Sequence, residues 1–94
     1  MEYSIDDLIA AAEAGDIKKL EACLSAGVDI NEKGGWMEAP AIHYALLRKQ
    51  QMAVEILLLR DADLDYKDRF EWSALYQAVF TGTRELVDLV LDHG

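Results

Sequence analysis

The chain has 94 residues and sets eighteen Asp and Glu against nine Lys and Arg, for a formal net charge of -9; 52% of it is apolar, with a single proline. That composition fits one soluble domain spanning residues 1–94 and excludes a disordered, solvating tail. An acidic chain whose basic residues never cluster beyond two neighbours repels phosphate, so no nucleic acid and no anionic membrane surface is expected as a partner.

The first predicted helix opens at Ser4-Ile5-Asp6-Asp7, where Ser4 caps and Asp7 occupies the return position of a capping box. Leu8, Ala11 and Ala12 then share one face at helical spacing. Gly15-Asp16 breaks this helix. Ile17, Leu20 and Leu24 mark the apolar face of a second helix, with Cys23 as a small buried hydrophobe among them, and Gly27 stops it. Asp29-Ile30-Asn31 follows, then a turn segment carrying Gly34-Gly35, Trp36 and Met37. Another helix is marked by Ile42-His43-Tyr44-Ala45 and its successor by Val54 to Leu58, after which Asp61 takes the capping place and Asp63-Leu64-Asp65 echoes the earlier Asp29-Ile30-Asn31. A further turn holds Lys67, Arg69, Phe70 and Trp72 before the helical patterns Ala74 to Ala78 and Leu86 to Leu91.

The periodicity of these segments decides the architecture. Ile42 and Leu75, Ala45 and Ala78, and Val54 and Val87 are each 33 positions apart, while Leu8 precedes Ile42 by 34, which places one inserted residue near Gly34-Gly35. No stretch alternates with period two for long. Three units of two short helices each, at about 4–31, 32–65 and 66–94 with the last incomplete, are therefore expected to stack as an all-α solenoid.

Chemistry finds little support. An EF-hand read from Asp61 would need Gly at its sixth position and Glu at its twelfth, and these are Tyr66 and Trp72. His43 and His93 are the only histidines and Cys23 the only sulfur ligand of the zinc-binding type, so no metal site is expected. Gly34-Gly35 matches no nucleotide-binding fingerprint, and Cys23 or Ser25 with His43 lacks an oxyanion loop. The expectation is a non-enzyme without cofactors. One cysteine, no basic-then-apolar leader and no apolar run near the ~20 residues of a membrane span point to a reducing, cytoplasmic setting.

The 33-residue unit resembles the ankyrin repeat over about residues 4–94. The family pattern T-P-L-H-x-A-A-x-x-G, an aliphatic helix and G-A-D-x-N is matched piecemeal: by Leu8, Ala11-Ala12, Gly15, Gly27, Asp29 and Asn31; by Ile42-His43-Tyr44-Ala45, Leu57-Leu58 and Ala62-Asp63; and by Ser73-Ala74-Leu75, Ala78, Gly82, Val87, Leu89 and Gly94. It departs at Pro40 (the family's Thr), at Ala41 and Ala74 (its Pro), and at Lys49-Gln50 (its Gly-His). The resemblance implies helix-turn-helix pairs joined by short β-turn or hairpin connections, and a structural, hydrogen-bonding role for His43 between neighbouring repeats.

It also implies protein binding through turn tips and a groove lined by the first helix of each pair. Carried onto this chain, those positions include Gly34, Trp36, Met37 and Ala39, then Lys67, Arg69, Phe70 and Trp72, and on the helix edges Glu13, Ala14, Leu47, Arg48, Phe80 and Thr81. The residues alone point the same way, because Trp36, Met37, Phe70 and Trp72 fall in turns that would ordinarily be polar. Two roles stay open for the tryptophans, anchoring a partner or folding back over the core. Residues 1–32 hold eight acids against Lys18 and Lys19, which suits a basic partner and suggests, as an alternative, an acidic inhibitor or immunity-type protein blocking a basic enzyme or toxin. The apolar last helix looks like an interior repeat without a cap. A longer array, a homodimer through this end as part of a self-assembling unit, or a covering partner would each account for it.

Overall fold

The computed structural model describes residues 2–81 and 83–93. Six helices follow one another: α1 (Ile5–Ala14), α2 (Ile17–Ser25), α3 (Ala41–Leu47), α4 (Gln51–Leu59), α5 (Ala74–Thr81) and α6 (Arg84–His93). Among the described residues there is no strand, only an isolated antiparallel bridge between Gly34 and Ala39. None of these helices is long and apolar enough to cross a membrane.

Local chemistry sets the boundaries. Ser4 donates its main-chain N–H to the Asp7 carboxylate at 2.9 Å, which starts α1 and holds the Asp7 pKa below its ordinary value. Gly15 ends α1 in the left-handed region (φ 69°), and Asp16 opens α2 by accepting from the Lys19 N–H at 3.2 Å. Thirty-four positions after Gly15 and Gly27 stand Lys49 and Asp61, with φ 55° and 60°. The backbone repeats although the glycines do not. Gly82 and Gly94, expected at the corresponding places in the third unit, lie outside the described residues.

The helices pack as two layers. α1, α3 and α5 line up as the inner layer, with α2, α4 and α6 behind them. A continuous core runs between the layers through Leu8, Leu20, Cys23, Ile42, Leu46, Leu57, Ala78, Leu86 and Val90. Cys23 is fully buried, and burial pushes its thiol pKa up, as suits an inert core residue. Polar ties fix the register between units. The Asn31 Oδ1 accepts from the Asp63 N–H at 2.8 Å, and Gln50 donates Nε2 to the Glu13 carbonyl at 2.9 Å. One helix pair could not bury its apolar face alone; three pairs bury a shared one.

Candidate protein-binding groove

Two hairpin turns project before α3 and α5, and they differ by one residue. The first closes with reciprocal bonds between Gly34 and Ala39, each N–H meeting the other's carbonyl at 3.1 Å. The second closes from the Asp68 N–H to the Trp72 carbonyl at 3.0 Å, with three residues between rather than four. That extra residue is the one inserted between the first two units. Its cost is met at Gly35 (φ 69°), where a Cβ would run into the Tyr44 hydroxyl. Buried Tyr44 in turn fastens the first hairpin to α3, accepting from the Met37 N–H at 3.0 Å and donating to the Gly34 carbonyl.

The hairpins are joined to each other. The Arg69 N–H donates to the Met37 carbonyl at 2.8 Å, its guanidinium donates to the Trp36 carbonyl at 2.9 Å, and its Nε lies 3.1 Å from the Glu38 carboxylate. The second turn is organised from within by Asp68, whose buried Oδ1 accepts from the N–H groups of Phe70 (2.8 Å) and Trp72 (3.0 Å). Behind it sits fully buried His43, with Nδ1 3.8 Å from the Asp68 Oδ2. That is too long for a direct hydrogen bond, and neither ring nitrogen bonds elsewhere in the protein. The histidine does meet the next repeat, but by packing beside Asp68 and not through the hydrogen bond that the resemblance implied. Burial lowers its pKa despite the opposing pull of Asp68, so His43 is a neutral ring in the folded chain.

This scaffold displays a strip of aromatic rings. Trp36 and Phe70 stand 6.2 Å apart between ring centroids, Phe70 and Trp72 6.5 Å, and Trp72 reaches Tyr76 at 4.7 Å and Phe80 at 4.8 Å. Trp36, Phe70, Trp72 and Phe80, with Leu47, line an open pocket of about 340 Å³ whose accessible wall is apolar. Trp36, Phe70 and Phe80 remain more than half exposed while Trp72 is half-buried. Rings within these distances gain roughly 0.5–1.5 kcal/mol per pair, which rigidifies them without covering them.

The structure gathers some of the expected residues and separates others. Trp36, Leu47, Phe70, Trp72 and Phe80 share the pocket. Met37, expected as a surface anchor, is instead 2% exposed, because the longer hairpin folds it inward among Ile9, Ala39 and Tyr44, where it floors the pocket. Ala39 is likewise buried. Arg69 is spent on hairpin bonds. Arg48 lies beside a shallow depression with Ala10, Ala14 and Gln50, 3.7 Å from Glu13. Thr81 donates its hydroxyl to the carbonyl of Ala78 in its own helix (2.8 Å), and Lys67 stands at the outer end of the third unit near Leu75. Tyr76 was missed. Its signal was its spacing from Phe80, four positions on, which puts both rings on one face of α5.

A helix-pair stack with paired hairpins and a 33-residue register is that of an ankyrin array, and the family model for ankyrin repeats (3 copies) matches residues 8–94. The chain belongs to the ankyrin repeat family, whose arrays generally serve in protein–protein interaction and are typically non-catalytic. Among its relatives, the chain is 39% identical over 64 residues to a putative ankyrin repeat protein of Escherichia coli, covering 66% of this chain and 30% of that one. It is 34% identical over 64 residues to a putative ankyrin repeat protein of fowlpox virus (68% of this chain, 45% of that one). A serine/threonine-protein kinase of Arabidopsis thaliana is 29% identical over 87 residues, 93% of this chain but 19% of the kinase. The chain thus spans less than half the length of each of these relatives.

Proposed function

We propose that the three helix pairs act as one non-catalytic module that holds another protein against the aromatic strip, with Trp36, Phe70, Trp72 and Phe80 as anchors and Leu47 and Met37 as the pocket's wall and floor. The observation that carries this reading is the exposure of the rings: large aromatics held in place by Asp68 and Arg69, yet more than half open to solvent at Trp36, Phe70 and Phe80. Clustered, prefixed aromatics are what interface hot spots favour, since little side-chain entropy remains to be lost on binding. An apolar strip left open on a monomer is itself unusual.

Selection of peptides from a random library on the immobilised chain tests the proposal. Bound peptides should carry apolar or aromatic anchors, and Trp36→Ala and Trp72→Ala should each weaken them by about 2 kcal/mol or more with helical content unchanged. Binding should survive high salt. The reading fails if both variants bind as the parent does. Binding that instead collapses with salt, and with removal of acids in residues 1–32, would favour the acidic inhibitor role, which rests on the eight acids of that segment.

A further inference from the structure

Beneath the aromatic strip, three buried polar atoms have no hydrogen-bond partner among the described residues: both ring nitrogens of His43 and the Oδ2 of Asp68. Buried polar groups are nearly always paired, because a dry one forfeits the bonds it makes to water. The His43 Nδ1 and the Asp68 Oδ2 face each other across 3.8 Å, and both side chains are closed to solvent. The other Asp68 oxygen is engaged. Its Oδ1 accepts from the Phe70 and Trp72 N–H groups at 2.8 and 3.0 Å, and Asp68 also lines the aromatic pocket. One carboxylate thus faces the unpartnered ring on one side and holds the main chain of two strip residues on the other. Burial disfavours a charged ring at His43 most strongly, Asp68 and the Tyr66 main chain favour it, and Lys33, ahead of the first hairpin, disfavours it. α5 offers no ionisable side chain except Tyr76. On α1, Asp6 is exposed while Asp7 and Glu13 turn to Lys19 and Arg48. Glu55 of α4 lies on the back of the stack beside Leu89.

We propose that His43 and Asp68 form a proton-operated latch under the strip, which keeps the rings in place while the imidazole is neutral and shifts them when it takes up a proton, so that the groove loosens its partner in acid. This rests on the reading of the strip as a binding surface. An imidazolium carries a donor on both nitrogens, and its charge-assisted bond to a carboxylate closes to about 2.7–2.9 Å. From 3.8 Å, that contact requires a movement of about 1 Å. His43 is fixed in α3, where Ala41 to Leu46 are all buried, so the carboxylate is the side that gives. It carries along the N–H groups of Phe70 and Trp72, and through Trp72 the rings of Tyr76 and Phe80, 4.7 and 4.8 Å away. Arg69 ties the same turn to the Trp36 carbonyl, so the shift reaches both hairpins. A partner that fits the unshifted strip binds the neutral form better, and by linkage its binding weakens the ring's hold on a proton.

Trp36 and Trp72 are the only tryptophans, so intrinsic fluorescence of the whole chain reads the strip directly. The expected result is an emission shift between pH 7.5 and 5 with helical content retained, its midpoint below the ordinary 6.5 because burial opposes the charge. The shift should vanish in His43→Leu and persist in His93→Gln. Asp68→Asn keeps an oxygen for the two N–H groups but removes the charge, and should move the midpoint lower still. A histidine-free peptide selected at pH 7.5 should bind about fivefold or more weakly at pH 5, and His43→Leu should bind it alike at both. Emission that stays constant to pH 5 overturns the latch. So does a shift that survives in His43→Leu or, where that variant loses helical content, a midpoint that Asp68→Asn leaves in place. A shift that meets these conditions while no peptide binds the strip upholds the latch and counts against the binding reading. A peptide that needs both tryptophans yet binds equally at both pH values upholds that reading and overturns the latch.

Discussion

The first and third units share a backbone and part company at their surfaces. Leu8 and Leu75 occupy the same register position, as Ile42 does between them; Leu8 and Ile42 are fully buried while Leu75 is 38% exposed. The first unit spends its outer positions on Asp7, Lys19, Ala10 and Ala14, whereas the third keeps leucine and valine there and adds Trp72, Tyr76 and Phe80 on the groove side. Solenoid stability is a sum of units and their contacts, so an end unit is free to give up interior chemistry. The first unit does so at Asp7 and Lys19. On its groove side the third unit instead adds the contacting rings of Trp72, Tyr76 and Phe80.

Substitutions at matched positions sharpen this contrast. Leu8→Ala and Ile42→Ala should each cost about 2–5 kcal/mol in chemical unfolding, and Leu75→Ala less than about 1 kcal/mol. Equal losses at all three would mean that the third unit is covered as the first is. Asp68→Ala, which strips the acceptor from two N–H groups of the second hairpin, should cost roughly 2–3 kcal/mol and loosen the aromatic strip with it. Near-ultraviolet circular dichroism would report the change in ring environment.

Gly35→Ala combines a left-handed φ with a clash against Tyr44, and a loss of about 2 kcal/mol is expected. The same substitution at Gly27 (φ 99°) meets the left-handed penalty, and should cost less than that penalty and the Tyr44 clash combined at Gly35. The pH dependence follows from His43. Its folded pKa lies below the unfolded value of 6.5, so the unfolded chain takes up the proton first and stability falls as pH drops below about 6.5. His43→Leu should flatten that part of a stability–pH curve; an unchanged slope would show that another group sets it. Lys49→Gly, the smallest effect, should raise stability by about 0.5–1 kcal/mol by relieving a left-handed lysine.

Period and boundaries were legible from residues alone because each depends on local chemistry: Ser4 and Asp16 at helix starts, Gly15 and Gly27 at stops, and the 33-residue recurrence of Ile42 and Leu75. The inserted residue was legible too, since it shifts the register from 34 to 33. Side-chain direction within the hairpins was not. Met37 reads as a turn residue next to Trp36, and only the bond from its N–H to Tyr44, ten positions after Gly34, turns it inward. Val90 belongs to the same lesson. It lies in an apolar helix end, yet it is 2% exposed while its neighbour Leu91 is 56% exposed, because the rotation of α6 about its axis is set by packing on α4 and α5. The Arg69 bridge between hairpins likewise joins residues 33 apart through main-chain atoms that no motif records.

Whether the aromatic strip binds or merely covers the core is tested most directly by the unfolding free energy of the Trp36→Ala/Phe80→Ala double variant. With 56% and 64% of these residues already exposed, the expected result is a loss of no more than about 1 kcal/mol and unchanged helical content. A loss above about 3 kcal/mol, of the size that truncating a buried aromatic produces, would contradict a binding role and make the strip part of the core.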